Sequence, residues 1–308
     1  MYLKSRKNML LAYSRLALII ACLVNFGAGH CMELIDLEPS GPVARDIDEL
    51  FWTTVALMSL VLIPVLAMTG WFAWKYRAGN GRAPYAPAWD RSFWLECLVW
   101  FVPGLIITVL AGMTWIFTHR LDPYQPLPSD KPPLEIQVVA LDWKWLFIYP
   151  QQNIAAVNEL YFPVGRPLHF KITSATVMNS FFIPRLGGQI YAMAGMQTQL
   201  HLIADKPGHY FGENTQFSGR GFPYQHFLAM ATGKQDFNAW VEQAKRSPQH
   251  LDRDSLDELA QPSIRHPVSY YGSVTPSLFE HVIAAFKTAK SNALPSSDNR
   301  YGARPNVR

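Results

Sequence analysis

From Leu50 to Trp74 the chain reads LFWTTVALMSLVLIPVLAMTGWFAW without one charged side chain. As a helix that run is about 37 Å long, against a hydrocarbon core of about 30 Å. Only helices and closed barrels cross lipid with their backbone polar groups paired, so the run is read as a membrane helix over 50–74. A second run, FWLECLVWFVPGLIITVLAGMTWIFT over 93–118, contains Glu96 as its single charged residue and is read the same way. Trp52, Trp71, Trp74, Trp94 and Trp115 lie toward the ends of the two runs, as interfacial aromatics do. Pro64 and Pro103 fall near the middles, where a helical neighbour can absorb the lost hydrogen bond.

The connection over 75–92 carries Lys75, Arg77, Arg82 and Arg91 against Asp90 alone, whereas the segment before the first run ends Arg45-Asp46-Ile47-Asp48-Glu49. The positive-inside rule puts the connection in the cytoplasm and both flanks on the outer side, the periplasm of a bacterium. A leader over 1–31 agrees: a basic start, the apolar run LALIIACLVNF, then GAG before His30-Cys31, the layout of a secretory signal. A cysteine after such a run suggests lipoprotein processing at Cys31. His30 is a poor residue for the position before the cut, and Cys22 after Ile-Ile-Ala fits that rule better but leaves a short apolar run. An uncleaved signal or a third membrane helix is the plainer alternative.

The formal charge of +4 comes from the leader, because Lys4, Arg6, Lys7 and Arg15 are its only charges and their removal from 27 basic residues leaves 23 against 23 acids. A neutral mature chain argues against nucleic acid as a partner, since phosphate binding needs clustered, uncompensated Lys and Arg. The three cysteines are Cys22, Cys31 and Cys97, so no thiolate lies beyond residue 97. Soft metal sites need thiolates.

Past a proline-rich linker over 119–133, the runs LEIQVVAL, KWLFIYP, VNELYFP, PLHFKITS, QTQLHLIA and HFLAMAT are separated by Gly, Pro and Asn turns. They predict a β-sandwich over 134–232. Asp142-Trp143-Lys144-Trp145 would set both indoles on one strand face with Phe147, either as core or as an electron-accepting or docking surface. Over 233–290 the pattern turns helical, with Phe237, Trp240, Val241 and Ala244 on one face. A last helix is expected from Thr275-Pro276, with Leu278, Val282, Ala285 and Phe286 on one face. Residues 291–308 read as a disordered polar tail.

The hairpin ending FAWKYRA, DWKWLFIYP, VMNSFFIPRLGGQIYAMAGM and the aromatic-rich C-terminal segment together resemble subunit II of the cytochrome bo-type ubiquinol oxidases, in the haem–copper oxidase superfamily, over about residues 31–288. The resemblance implies a mixed membrane and β architecture: a two-helix transmembrane hairpin, a cupredoxin-like β-sandwich and a short C-terminal helical segment. In the related cytochrome c oxidases the sandwich holds a two-copper centre. Carried over by the resemblance, the ligand positions are Asn179 for the first His, Asn214 and Ser218 for the two Cys, Phe222 for the second His and Gln225 for the Met, with Gln216 where a Glu lends its carbonyl. Every side-chain ligand is replaced, so no metal and no other cofactor is expected in this chain. A mononuclear copper site on His209 and His226 stays open as an alternative.

The resemblance further implies that ubiquinol is oxidised in subunit I, which holds the haems and the oxygen-reducing copper, with subunits III and IV as further partners and the inner membrane as location. Cys31 lies where the family's lipidated cysteine lies. Glu96 lies where the superfamily places a carboxylate at the entrance of a proton channel into subunit I; near a helix end it could also simply reach the interface. Two rival readings are a cytochrome c oxidase subunit with aberrant electron entrance and a membrane-tethered, cupredoxin-like binding or copper-delivery protein.

Overall fold

The computed structural model describes residues 38–81 and 90–293. The leader with Cys22 and Cys31, Arg82 of the connection and residues 294–308 lie outside the described residues. Two long helices come first, α1 (Pro42–Lys75) and α2 (Phe93–Arg120). Both have the length and apolarity of membrane spans. Almost nothing on them is buried by the chain itself: Trp94 and Trp100 are each 81% exposed. Side chains this apolar and this bare require lipid or another protein around them. Neither Pro64 nor Pro103 interrupts its helix.

Helix α1 starts well before the span expected at Leu50. Its 34 residues extend about 51 Å, more than the hydrocarbon needs. The first turns are instead docked on the β domain. Pro42 occupies the first helical turn, where its missing N–H costs nothing. Before it, Ser40 N–H donates to the Arg185 carbonyl at 2.8 Å and Asp205 N–H donates to the Ser40 carbonyl at 2.8 Å. A Cβ on Gly41 would stand 2.2 Å from the Ile203 carbonyl oxygen, so only glycine fits the approach. Arg45 pairs with Asp205, and Arg120 at the end of α2 reaches Asp46 at 2.8 Å, tying the ends of the two helices together.

The β domain is a sandwich. One sheet joins β1 (Leu134–Leu141), β2 (Lys144–Tyr149), β3 (Ile154–Val157), β5 (Leu168–Ser174), β8 (Thr198–Leu202) and β12 (Ser269–Tyr271) in the order β12-β3-β2-β1-β5-β8. The other joins β4 (Glu159–Pro163), β6 (Asn179–Phe182), β7 (Ile190–Ala192), β9 (Gly208–Asn214) and β10 (His226–Thr232) in the order β4-β10-β9-β6-β7. Strands β1 and β5 run parallel, as do β4 and β10, and the remaining neighbours are antiparallel.

Between the sheets lies an aromatic core. The rings of Phe181 and Phe227 stack at 5.2 Å, and Trp145 meets them edge-on at 5.4 and 5.7 Å. A Cβ on Gly212 would stand 2.1 Å from the Phe227 ring, so the glycine makes room for it. The opposite face of the first sheet is buried as well, under a C-terminal layer of α3 (Lys234–Lys245), β11 (His250–Leu251), α4 (Arg253–Ala260), β13 (Ser273–Val274) and α5 (Leu278–Ala293). Val139, Leu141, Leu146 and Ile148 pack there with Leu256, Leu259, Phe279 and Val282. Strand β2 is therefore buried at all six positions, and its sequence loses the alternation of a one-sided strand.

Several expectations need correction. Trp143 is not on a strand face beside Trp145 and Phe147. It occupies the β1–β2 turn with φ 65°, a left-handed conformation uncommon for any residue but glycine. The run VNELYFP is cut in two by Asn158 at φ 60°, whose side chain accepts from Trp145 N–H and donates to the His266 carbonyl. None of the expected runs covers β6, β7, β9, β12 or more than the last residue of β3, because short strands among turn residues carry little periodic signal. The last helix starts at Leu278 rather than Thr275, after Ser277 at φ 62°, and runs through Ala293, so the first residues of the expected tail are helical. On it Leu278 and Val282 are buried, Ala285 is exposed and Phe286 is half-buried beside Gly195.

Candidate functional site

Four of the positions read as vacated copper ligands meet at one corner of the sandwich. Asn179 opens β6, Asn214 closes β9, Ser218 lies in the following loop and Gln225 directly precedes β10. Asn179, Asn214 and Gln225 are buried, at 1%, 4% and 2% exposure. Asn214 is the centre: its Nδ2 lies 2.8 Å from Asn179 Oδ1, 2.9 Å from Gln225 Oε1 and 3.1 Å from Ser218 Oγ, two protons shared by three acceptors. Its Oδ1 accepts from Ser180 N–H at 2.8 Å and Gln216 N–H at 3.0 Å. Asn179 Nδ2 donates to the Val177 carbonyl and Ser174 Oγ, Ser218 Oγ donates to Gln225 Oε1, and Gln225 Nε2 donates to the Leu141 carbonyl.

The other two positions stay apart from this closure. Gln216 contributes its backbone N–H while its side chain is half-buried. Phe222 opens a 3-10 turn, Phe222–Tyr224, and leans on Phe217 with ring centroids 5.7 Å apart. Trp143 closes the corner from outside. Its Nε1–H donates to the Ser218 carbonyl at 3.0 Å, and a Cβ on Gly221 would stand 2.2 Å from its indole. The strained turn at Trp143 thus lays the indole over the loop, and Gly221 gives it space.

The donor set does not fit copper. Amide and hydroxyl groups are neutral and hard, whereas a two-copper centre needs bridging thiolates and imidazoles, and these amides already satisfy one another. Nor do His209 and His226 converge: on the β9–β10 ladder His226 faces Glu213 and His209 faces Met230, at opposite ends of the paired stretch.

Two ionisable groups stand apart from this corner. Glu96 lies in the first turn of α2, exposed, where a carboxylate also favours the helix N-terminus, and the free thiol of Cys97 follows it. Lys144, which was not singled out from sequence, is buried, with Nζ donating to the Gln261 carbonyl at 2.8 Å and to Ser263 Oγ at 2.6 Å. Gln261 caps the C-terminus of α4, where the helix dipole favours a cation. Burial lowers the Lys144 pKa, and Asp142 pulls it back. A lone lysine amid strand-forming apolar residues was the available signal.

Residues 108–229 match the family model of the cytochrome c oxidase subunit II periplasmic domain, and residues 245–288 match the aromatic-rich motif of the same oxidases. Across 251 residues the chain is 50% identical to subunit 2 of the cytochrome bo(3) ubiquinol oxidase of Pseudomonas putida, covering 82% of this chain and 80% of that one. The chain belongs to the ubiquinol oxidase subunit 2 family. Subunit 2 of the Pseudomonas aeruginosa cytochrome bo(3) ubiquinol oxidase is 49% identical over 84% of this chain and 78% of its own length. Ubiquinol oxidase subunit 2 of Acetobacter aceti is 48% identical over 91% of both chains. The subunit therefore combines a membrane hairpin, a cupredoxin-like sandwich and a C-terminal aromatic-rich layer, and the motif over 245–288 coincides with most of the layer that buries the outer face of β1 and β2.

Proposed function

We propose that this chain is the subunit of a quinol-oxidising, oxygen-reducing, proton-translocating terminal oxidase that carries no redox centre of its own. The single observation that supports this most directly is the Asn214 corner, where a closed set of amides stands in place of any electron-accepting ligand. Without such an acceptor, a water-soluble electron donor has nowhere to deliver within this chain. Quinol, dissolved in the bilayer, would be oxidised in subunit I, where the haems and oxygen-reducing copper would lie. The bare faces of α1 and α2 support packing on that subunit, with subunits III and IV completing the assembly. The charge bias around the hairpin supports a cytoplasmic connection and a periplasmic sandwich in the inner membrane.

Purification in mild detergent tests the reading. It predicts co-isolation with a large haem-bearing subunit and oxygen uptake driven by quinol. It also predicts no near-infrared band of a two-copper centre in the isolated chain. Oxygen uptake from reduced cytochrome c with indifference to quinol would overturn it. Within the same reading Glu96, on the cytoplasmic end of α2, accepts a proton and passes it toward subunit I. Glu96→Ala is expected to slow turnover several-fold while the complex still assembles, and unchanged proton-coupled oxygen reduction would remove the role. Cys31 is the proposed lipid-bearing residue, with Cys22 the alternative, and mass spectrometry of the mature N-terminus decides between them.

A further inference from the structure

The face of the second sheet turned away from the aromatic core carries a groove of about 530 Å³, lined among others by Phe211, Tyr224, His226, Leu228, Arg265 and Val268. Its floor is the cross-strand pair Leu228 and Phe211, the latter 52% exposed. One wall is Tyr224, from the 3-10 turn of the vacated copper loop. The other is the segment between α4 and β12, which the sandwich holds from two sides: Lys144 Nζ bonds to Ser263 Oγ at 2.6 Å, and Asn158 Nδ2 donates to the His266 carbonyl at 2.9 Å. This second wall is therefore braced by the sandwich.

Arg265 is presented by this braced segment in a left-handed conformation, φ 57°, with its guanidinium 4.5 Å from the centroid of the Tyr224 ring. Among the described residues its guanidinium makes no hydrogen bond or ion pair beside this stacking. Such an arginine has one face covered and its edge donors free, a geometry suited to gripping a carboxylate with two parallel hydrogen bonds. His226 and His266 flank it, and no acid lines the groove. The nearest acids on the ladders are Glu159, opposite Leu228, and Glu213, opposite His226. Glu159 is engaged by the Tyr270 hydroxyl, and Glu213 lies outside the groove lining. Beside the cation the surface is apolar and exposed, with Val268 at 47% and Ile264 at 44%. The combination is complementary to a chain segment that offers an acid next to a large apolar side chain.

We propose that this groove seats an acidic segment of another polypeptide of the oxidase, with a carboxylate on Arg265 and an apolar side chain on the Phe211–Leu228 floor. The proposal rests on the assembly reading above. It is tested in the intact complex in native membranes, with Phe211 replaced by photoreactive benzoylphenylalanine and, as a second probe, Val268 replaced in the same way. Irradiation is expected to give an adduct to a second polypeptide, mapped by mass spectrometry to a peptide with Asp or Glu within a few residues of the linked site. Arg265→Glu in the same chain should lower the yield at least fivefold, whereas Arg265→Lys retains most of it. Adducts confined to this chain or to lipid, or a yield indifferent to Arg265→Glu, overturn the groove proposal alone, provided the haem-bearing subunit co-purifies with the unmodified chain. If it does not co-purify, the assembly reading fails and the groove proposal fails with it.

Discussion

Strand β6 begins in one environment and ends in another. Phe181 is buried among Trp145, Phe147, Phe170 and Phe227, with centroid distances of 5.2 to 6.4 Å, whereas Asn179, two residues earlier, is buried among amides. Both sites exclude water, yet different physics holds each together. In the aromatic core, stabilisation scales with area and contact, so neighbours tolerate small losses in proportion. In the amide corner each group has value only through the partner that satisfies it, so removing one member strands several others. A copper centre would fasten the same segments through a shared ion; here Asn214 fastens them through five short contacts.

The sharpest test of this contrast pairs two substitutions. Phe181→Ala should cost about 3–5 kcal/mol by emptying the centre of the core, and Phe181→Leu about a quarter of that, in proportion to volume. Chemical denaturation of the detergent-solubilised chain, followed by tryptophan fluorescence, measures both. A smaller loss is expected at the corner: Asn214→Leu should cost roughly 2–4 kcal/mol, because Ser180 N–H, Gln216 N–H and the facing amide oxygens lose their partner. Its signature is non-additivity. Adding Gln225→Leu to Asn214→Leu should cost much less than Gln225→Leu does alone, since the network is already broken. If the two losses simply add, the corner is a set of independent bonds and the contrast with the core disappears.

The same contrast explains what the sequence could disclose. The core was legible because its strands advertise themselves: LEIQVVAL is β1 from end to end and HFLAMAT is β10. Phe237, Trp240, Val241 and Ala244 are all buried on α3, as helical spacing requires. The amide corner was not legible from the residues alone, since Asn, Ser and Gln in turn-rich segments ordinarily mean solvated loops. Only the resemblance grouped Asn179, Asn214, Ser218 and Gln225, and it included Phe222, which turns away from the cluster. Trp143 was misplaced because alternation assumes an unbroken strand, and a single left-handed residue ends that assumption. Arg265 and the groove offer no local pattern at all; they arise where three distant segments meet.

Lys144 supplies the smallest and most discriminating test, because it belongs to neither class: a buried cation held by neutral acceptors at a helix end. Its native pKa lies below the ordinary lysine value of 10.5. Between that lowered value and 10.5 the unfolded chain binds more protons than the native one, so stability contributed at this site rises with pH across that window and is flat below it. Lys144→Met removes the titrating group while nearly keeping its volume, but it leaves the Gln261 carbonyl and Ser263 hydroxyl without their donor. Near pH 7 these effects oppose each other, and the net change is expected to be under about 1 kcal/mol. The difference in melting temperature between wild type and Lys144→Met, taken from pH 8 to pH 10.5, should therefore shift steadily in favour of the wild type. A pH-independent difference would mean that the ammonium is solvated and that Lys144 does not pin the segment carrying Arg265.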